Sequence, residues 1–286
     1  MPSLYTHYLL GQEVIDYLPQ DCQDIIRKNK MLYNLGLQGP DFFFYASVFG
    51  NKNISKFGNA LHEIPAQETL QAMIKHLGYV EGELWGNLRE DVLAYLFGFI
   101  GHFTLDTFAH PYVFKVQKSE RDHLALETDF DQYLLKRRGK VPWKENLKYT
   151  VKTDSMSRKT LEAVYGVYQD QITSEEVSGA AKSIYIIRSI MTFPTRGKYY
   201  FLLWMMDWLR LPEKFKAMFI FPPEKGQESE YNWPERPEES FTILLERYAQ
   251  AKEAYPEVIE GFRKVLEEGA EWPAIFSRDF AEIGSE

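Results

Sequence analysis

The sequence has a single cysteine, Cys22, in 286 residues. No internal disulfide can form, and a reducing compartment fits. There is no excess of positive charge: 33 basic residues stand against 41 acidic ones, a formal net charge of -8. An extended nucleic-acid surface needs a basic face and is not expected. An anionic substrate remains compatible, because bound divalent cations would reverse the local potential. The opening residues, MPSLYTHYLLGQE, lack the basic start and long apolar core of a secretory signal. The longest apolar runs, 92–103 and 199–211, read as too short or too interrupted to span a bilayer. These absences give the expectation of a cytoplasmic protein. Internal repeats, low-complexity tracts and convincing strand alternation are also missing, which leaves an all-α fold. Hydrophobic residues make up 45% of the chain, ample for a core, so a single multi-helix domain over 1–286 is expected.

Helix-period apolar positions run over 5–27, with His7 near the start. Residues 31–45 read as a short helix, a Gly39-Pro40 turn, then Asp41 and the aromatics Phe42, Phe43, Phe44 and Tyr45. Asp41 is either a helix N-cap or a carboxylate delivered into a pocket. Most of the aromatics are expected in the core. The stretch 47–65 reads as a loop that carries His62 and enters a helix near Pro65. His76 reads as a surface residue on the polar side of 66–81. A Gly-rich connector, 80–90, leads to a central helix, 91–114, interrupted near Pro111. A polar loop, 115–122, precedes a helix over 123–138, whose terminal Lys136, Arg137 and Arg138 suit a helix C-terminus. Further helices are expected over 157–171, 174–192, 198–211 and 238–266. Thr173 and Glu176 mark one of their starts. The run YYFLLWMMDW at 199–208 is apolar almost all round. It reads as a buried helix, with a membrane-contacting surface as the sharper alternative. The Pro- and charge-rich 219–237 is a loop, either a lid or a bare linker.

The chemistry concentrates in 95–127. His102, Asp106 and His110 lie at four-residue intervals in an otherwise apolar helix. Residues at i and i+4 stack on one helical face. His123 and Glu127 repeat the spacing just downstream. One histidine on an apolar face is more often a satisfied core residue than a ligand. Here, however, three of only six histidines fall within 22 residues of chain, each one turn from a carboxylate. Buried imidazoles and acids are costly unless partnered, and a metal ion is the partner these groups suit best. With His7, Asp41 and His62 the candidates number eight, among them no thiolate. That donor set suits zinc and exceeds one tetrahedral site, so two or three ions are implied, held between inward-facing helices.

The order and spacing of these pieces resemble the zinc-dependent phospholipases C of bacteria, a family related to the single-strand-specific zinc nucleases. The resemblance rests on THYLLGQEVIDYL around His7, GPDFFFY around Asp41 and FGNALHEIP around His62. It continues in GHFTLDTFAHPY, with His102, Asp106 and His110, and in DHLALE, with His123 and Glu127. The second half shows no distinctive resemblance. The family implies a trinuclear zinc centre. Asp41, His62, His102 and Asp106 would hold one ion. His110, His123 and Glu127 would hold a second. His7 and a bridging Asp106 would share in a third, and Asp41 is also the candidate general base. Two departures stand out. The third zinc of the family is completed by a processed amino terminus, whereas this sequence opens at Met1-Pro2 just before His7. The interval from Asp106 to His110 is also shorter than in the secreted enzymes.

The expected function is a zinc-dependent phosphodiesterase, phospholipase C-like, attacking phosphorus with a metal-bound hydroxide. The alternatives are a metal-dependent nuclease or small-molecule phosphodiesterase, and a non-catalytic metal-stabilised binding domain. The expected partners are a phosphodiester, a phospholipid among the candidates, and transient contact with a membrane surface. Oligomeric state is not legible.

Overall fold

The computed structural model describes residues 4–49, 51–79, 83–223 and 231–280. The described residues contain helices and no strand, as the sequence implied. The chain starts with α1 (Leu4–Val14), α2 (Gln20–Lys28) and α3 (Lys30–Gly36), then a 3-10 segment, Gly39–Phe49. Next come α4 (Lys52–His62), α5 (Ala66–Tyr79), the 34-residue α6 (Glu83–Val116) and α7 (Glu120–Arg137). The remainder is α8 (Ser155–Tyr165), α9 (Ser174–Ile190), α10 (Arg196–Trp208), α11 (Glu213–Ala217) and α12 (Ser240–Glu268).

α6 is the axis of the fold. It packs against α3 and α12 most extensively, and against α1, α2 and α8. Glycines permit the closest crossing. A Cβ on Gly36 would lie 2.1 Å from the Tyr95 carbonyl oxygen, and one on Gly98 would lie 2.2 Å from that of Tyr33. Any side chain at either position would push α3 and α6 apart. One hydrophobic cluster then runs from Leu4 to Phe280 and takes in both halves of the chain.

Several local expectations are corrected. The helix expected over 5–27 is two helices. Pro19 has no amide hydrogen and forces Leu18 into an extended conformation (ψ 161°), which ends the first one. The loop expected over 47–65 is largely α4. Asn51 caps that helix by accepting from the Ile54 amide, and Ile54, Phe57 and Leu61 give it a buried face despite Gly58 and Asn59. The connector expected over 80–90 is helical backbone from Glu83, residues 80–82 lying outside those described. α6 is not interrupted at Pro111, which sits within five residues of the helix end and removes only one hydrogen bond. Its stretch Leu88–Val116 is long and apolar enough to cross a bilayer by length and composition, but its apolar window is 89% buried against the rest of the fold. His76 is not a free surface residue: it is half-buried, and its ring packs against Gly166. The capping box of Thr173 and Glu176 is present at the start of α9.

The helix over 199–208 is not buried all round. Tyr199, Leu202 and Met206 face inward, while Tyr200, Phe201, Trp204 and Trp208 face solvent. The loop over 219–237 is described only outside 224–230. Its far end is tied down: Asp129 of α7 accepts from the Asn232 and Trp233 amides at 2.6 and 2.8 Å, and Trp233 is buried.

Candidate metal centre

All eight sequence candidates meet in one region. His7 comes from α1, Asp41 from the 3-10 segment, and His62 from the last turn of α4. α6 supplies His102, Asp106 and His110, and α7 supplies His123 and Glu127. Every one is buried except His62, which is partly exposed.

Gly39 brings the Asp41 segment onto α6. Its φ of +49° is a left-handed conformation, and a Cβ there would lie 2.2 Å from the His102 ring. Only glycine allows both the turn and the approach. Asp131, one turn beyond Glu127 on α7, fixes the start of α1. Its carboxylate accepts from the Tyr5 amide (2.9 Å), the Thr6 amide (2.8 Å) and the Thr6 hydroxyl (2.6 Å). Amides of a first helical turn have no partner within their own helix, so a buried carboxylate anchors them well. His7 follows directly, and its ring stacks on His102 at 4.2 Å.

Three groups of side chains could each hold a metal ion: His7, His102 and Asp106; Asp41, His62 and His102; and His110, His123 and Glu127. Asp106 connects them. Its Oδ1 lies 3.3 Å from His7 Nε2 and 3.6 Å from His110 Nε2, and its Oδ2 lies 3.1 Å from His102 Nε2. His62 Nε2 is 3.1 Å from Asp41 Oδ1. Glu127 Oε1 is 3.3 Å from both His110 Nε2 and His123 Nε2. His102 Nε2, His62 Nε2 and Asp106 Oδ2 are buried and make no aligned hydrogen bond. Atoms that crowd within about 3 Å without aligning on each other are aimed at a common third point.

The rings are held from behind. His62 Nδ1 donates to the Gly58 carbonyl (2.8 Å), His110 Nδ1 to the Phe280 carbonyl (2.5 Å) and His123 Nδ1 to Gln117 Oε1 (2.6 Å). An oxygen behind Nδ1 assigns the proton there and leaves Nε2 as the ligand atom. The same three histidines line a cavity of about 510 Å3 with Phe44, Phe114, Leu124, Phe280 and Lys214.

Electrostatics favours the ligand-ready state. Burial alone would raise the Asp41 carboxyl, yet its interactions with neighbours that include His102 and His62 hold it down at about 2. Burial is likewise outweighed at Asp106 by His102, His110 and His7, and at Glu127 by neighbours that include His123 and His110. Both stay well below the usual carboxylate range. Burial lowers His102 and His123, so their rings are neutral. His110 moves the other way. Burial would lower it, but Asp106 and Glu127 raise it more. Ionised carboxylates beside neutral imidazoles are the protonation states a divalent cation requires.

The family model for zinc-dependent phospholipase C matches residues 6–183, more than half of the chain. The chain belongs to the zinc-dependent phospholipase C family. No curated protein and no solved structure matches it. The nitrogen and oxygen donors described above, several of them buried without aligned partners, fit the zinc that gives this family its name.

The family match extends well past Glu127, into α8 and α9, where the sequence reading saw no distinctive resemblance. Packing ties those helices to the candidate site. α9 lies against the 3-10 segment that carries Asp41, and buried Arg188 of α9 donates to the Tyr45 hydroxyl. Five contributors were missed by sequence reasoning: Gly58, Gln117, Asp131, Lys214 and Phe280. Asp131 was legible, since His123, Glu127 and Asp131 continue one i, i+4 series. Phe280 gave no signal, being 170 residues from His110. Asp41 and Asp106 fall in separate groups that share His102. The short Asp106–His110 interval still brings His110 to Glu127. Residues 1–3, where the sequence departs from the family's processed amino terminus, lie outside the described residues.

Proposed function

We propose that this protein hydrolyses phosphodiesters, phospholipids above all, at a centre of two or three zinc ions. His7, Asp41, His62, His102, Asp106, His110, His123 and Glu127 would hold them, with Asp106 and His102 shared between neighbouring groups. The reading is carried by one observation. The ligand-bearing histidines His62, His110 and His123 form a wall of a roomy cavity; a closed structural site has no such opening. Bound there, the ions would activate water and neutralise the charge of the phosphodiester.

The protein's own groups then divide the work. Asp41 is held in its ionised form by its neighbours, so it can accept a hydrogen bond from a water and orient it, or take its proton as the general base. Lys214 reaches the cavity wall from α11 and is held there by Glu120 at 2.9 Å. It attracts the substrate anion. Phe44, Phe114 and Leu124 offer an apolar wall to the non-polar part of the substrate.

The test is hydrolysis by metal-replete protein of a short-chain phosphatidylcholine, a nitrophenyl phosphodiester and an oligonucleotide. Phosphatidylcholine should be the best substrate. His102→Ala and Asp106→Ala should abolish turnover, while Lys264→Ala on the exposed face of α12 should not. Full activity in the His102 or Asp106 variants, with the fold retained, would end the enzymatic reading.

A further inference from the structure

α10 exposes an aromatic ladder. Phe201, Trp204 and Trp208 are 58%, 61% and 69% exposed, and Tyr200 is more than half exposed beside them. Their spacing puts them on one helical face. The rings follow one another at 6.1 Å from Phe201 to Trp204 and 6.4 Å from Trp204 to Trp208, the two indoles stacked at 16°. The opposite face is well anchored, with Tyr199 and Leu202 packed on Phe193. α10 is therefore a firmly seated helix that presents its largest apolar side chains to water. An exposed aromatic patch of this kind marks a docking surface.

The chemistry around the ladder selects the occupant. Tyr and Trp join an apolar body to a polar edge and concentrate where hydrocarbon meets water. In the chain the ladder is flanked by exposed Arg196, which also donates to the Pro223 carbonyl at 3.3 Å, and half-buried Lys198 on one side, and by exposed Arg210 on the other. Asp207 and Glu213, the acids of this stretch, are both paired with Lys216 at 2.8 and 2.7 Å. A basic frame on a protein of net charge -8 is complementary to an anionic surface. A second copy docked face to face would bring these cations together and be repelled. The chain also runs from α10 directly into α11, whose Lys214 lines the cavity of the metal centre.

We infer that the exposed face of α10 is an interfacial membrane anchor: Phe201, Trp204 and Trp208 insert among the headgroups of an anionic phospholipid bilayer, with Arg196, Lys198 and Arg210 on its phosphates. This rests on the phospholipid reading only for its purpose, since binding itself needs no catalysis. The anchor supplies the cavity with substrate from the bilayer, while a dispersed substrate does not need it.

Flotation of the full-length, metal-replete protein with phosphatidylcholine–phosphatidylserine vesicles tests this. Wild type should float. Trp204→Ser with Trp208→Ser should weaken vesicle partitioning by about tenfold or more, with unchanged thermal unfolding and unchanged turnover of a water-soluble nitrophenyl phosphodiester. Arg196→Gln with Lys198→Gln should weaken binding to anionic vesicles but not to phosphatidylcholine alone. Equal flotation of wild type and both variants would overturn the anchor. So would failure of wild type to float, including the case where ultracentrifugation finds a dimer that the tryptophan variant dissolves. Vesicle binding without any phosphodiester hydrolysis would leave the anchor standing and remove the enzymatic reading instead.

Discussion

Replacing Asp131 tests how the amino-terminal helix is tied to the centre. This buried carboxylate accepts three hydrogen bonds from Tyr5 and Thr6, at 2.6 to 2.9 Å. A hydrogen bond to a charged group contributes about 1.5–3 kcal/mol, and stranding a buried amide costs about 1–3 kcal/mol. The three share one acceptor and are not additive, so Asp131→Ala should destabilise by about 3–5 kcal/mol. Thr6→Val removes the hydroxyl bond alone and should cost about 1.5–3 kcal/mol. The assay is urea unfolding of metal-free protein, which isolates the anchor from zinc binding. A parallel zinc titration should show that Asp131→Ala weakens the ion held by His7 and leaves the group of His110, His123 and Glu127 intact. A loss below about 1 kcal/mol in Asp131→Ala would show that the start of α1 is held by other contacts, and the reasoning would fail.

Gly39→Ala should displace the His102 ring, which a Cβ would approach to 2.2 Å in a left-handed backbone; we expect reduced zinc content and lower thermal stability, and unchanged values of both would contradict the role given to this turn. Ending the chain before Phe280 removes the carbonyl behind His110, so chelator competition should show zinc affinity falling by about 10–100-fold. The metal-free protein should lose stability on acidification. His102 and His123 are held low, so the folded state binds fewer protons than the unfolded one below about pH 6.5. Asp41, Asp106 and Glu127, also held low, add the same sign below about pH 4. His110, held high, contributes stability below about pH 6.5 that is lost as pH rises, a partial offset. A flat unfolding profile from pH 8 to about pH 4 in chelator would contradict those shifts.

The helical class and the clustering of the candidate residues on α6 and α7 were legible because both are written in short-range spacing. His102, Asp106 and His110 recur at a helical interval, as do His123 and Glu127, and that periodicity survives any tertiary arrangement. Boundaries were less legible where a breaker competes with packing. Gly58 and Asn59 suggested a loop, but the buried face of Ile54, Phe57 and Leu61 held α4 together. Pro111 suggested an interruption that the end of a long buried helix absorbs. The exposure of α10 was legible only as the alternative to a buried helix. Its composition is that of a core helix, and only the position of its neighbours decides that Trp204 and Trp208 face outward. The support behind the histidine rings was equally hidden, since Gly58 and Phe280 act through backbone carbonyls that any residue could supply.

Anomalous diffraction at the zinc edge from crystals of the metal-replete protein bears on the central claim most directly. Two or three peaks should appear, each touching His102, Asp106 or Glu127. A single peak elsewhere, or none at full zinc loading, would contradict a shared polynuclear centre.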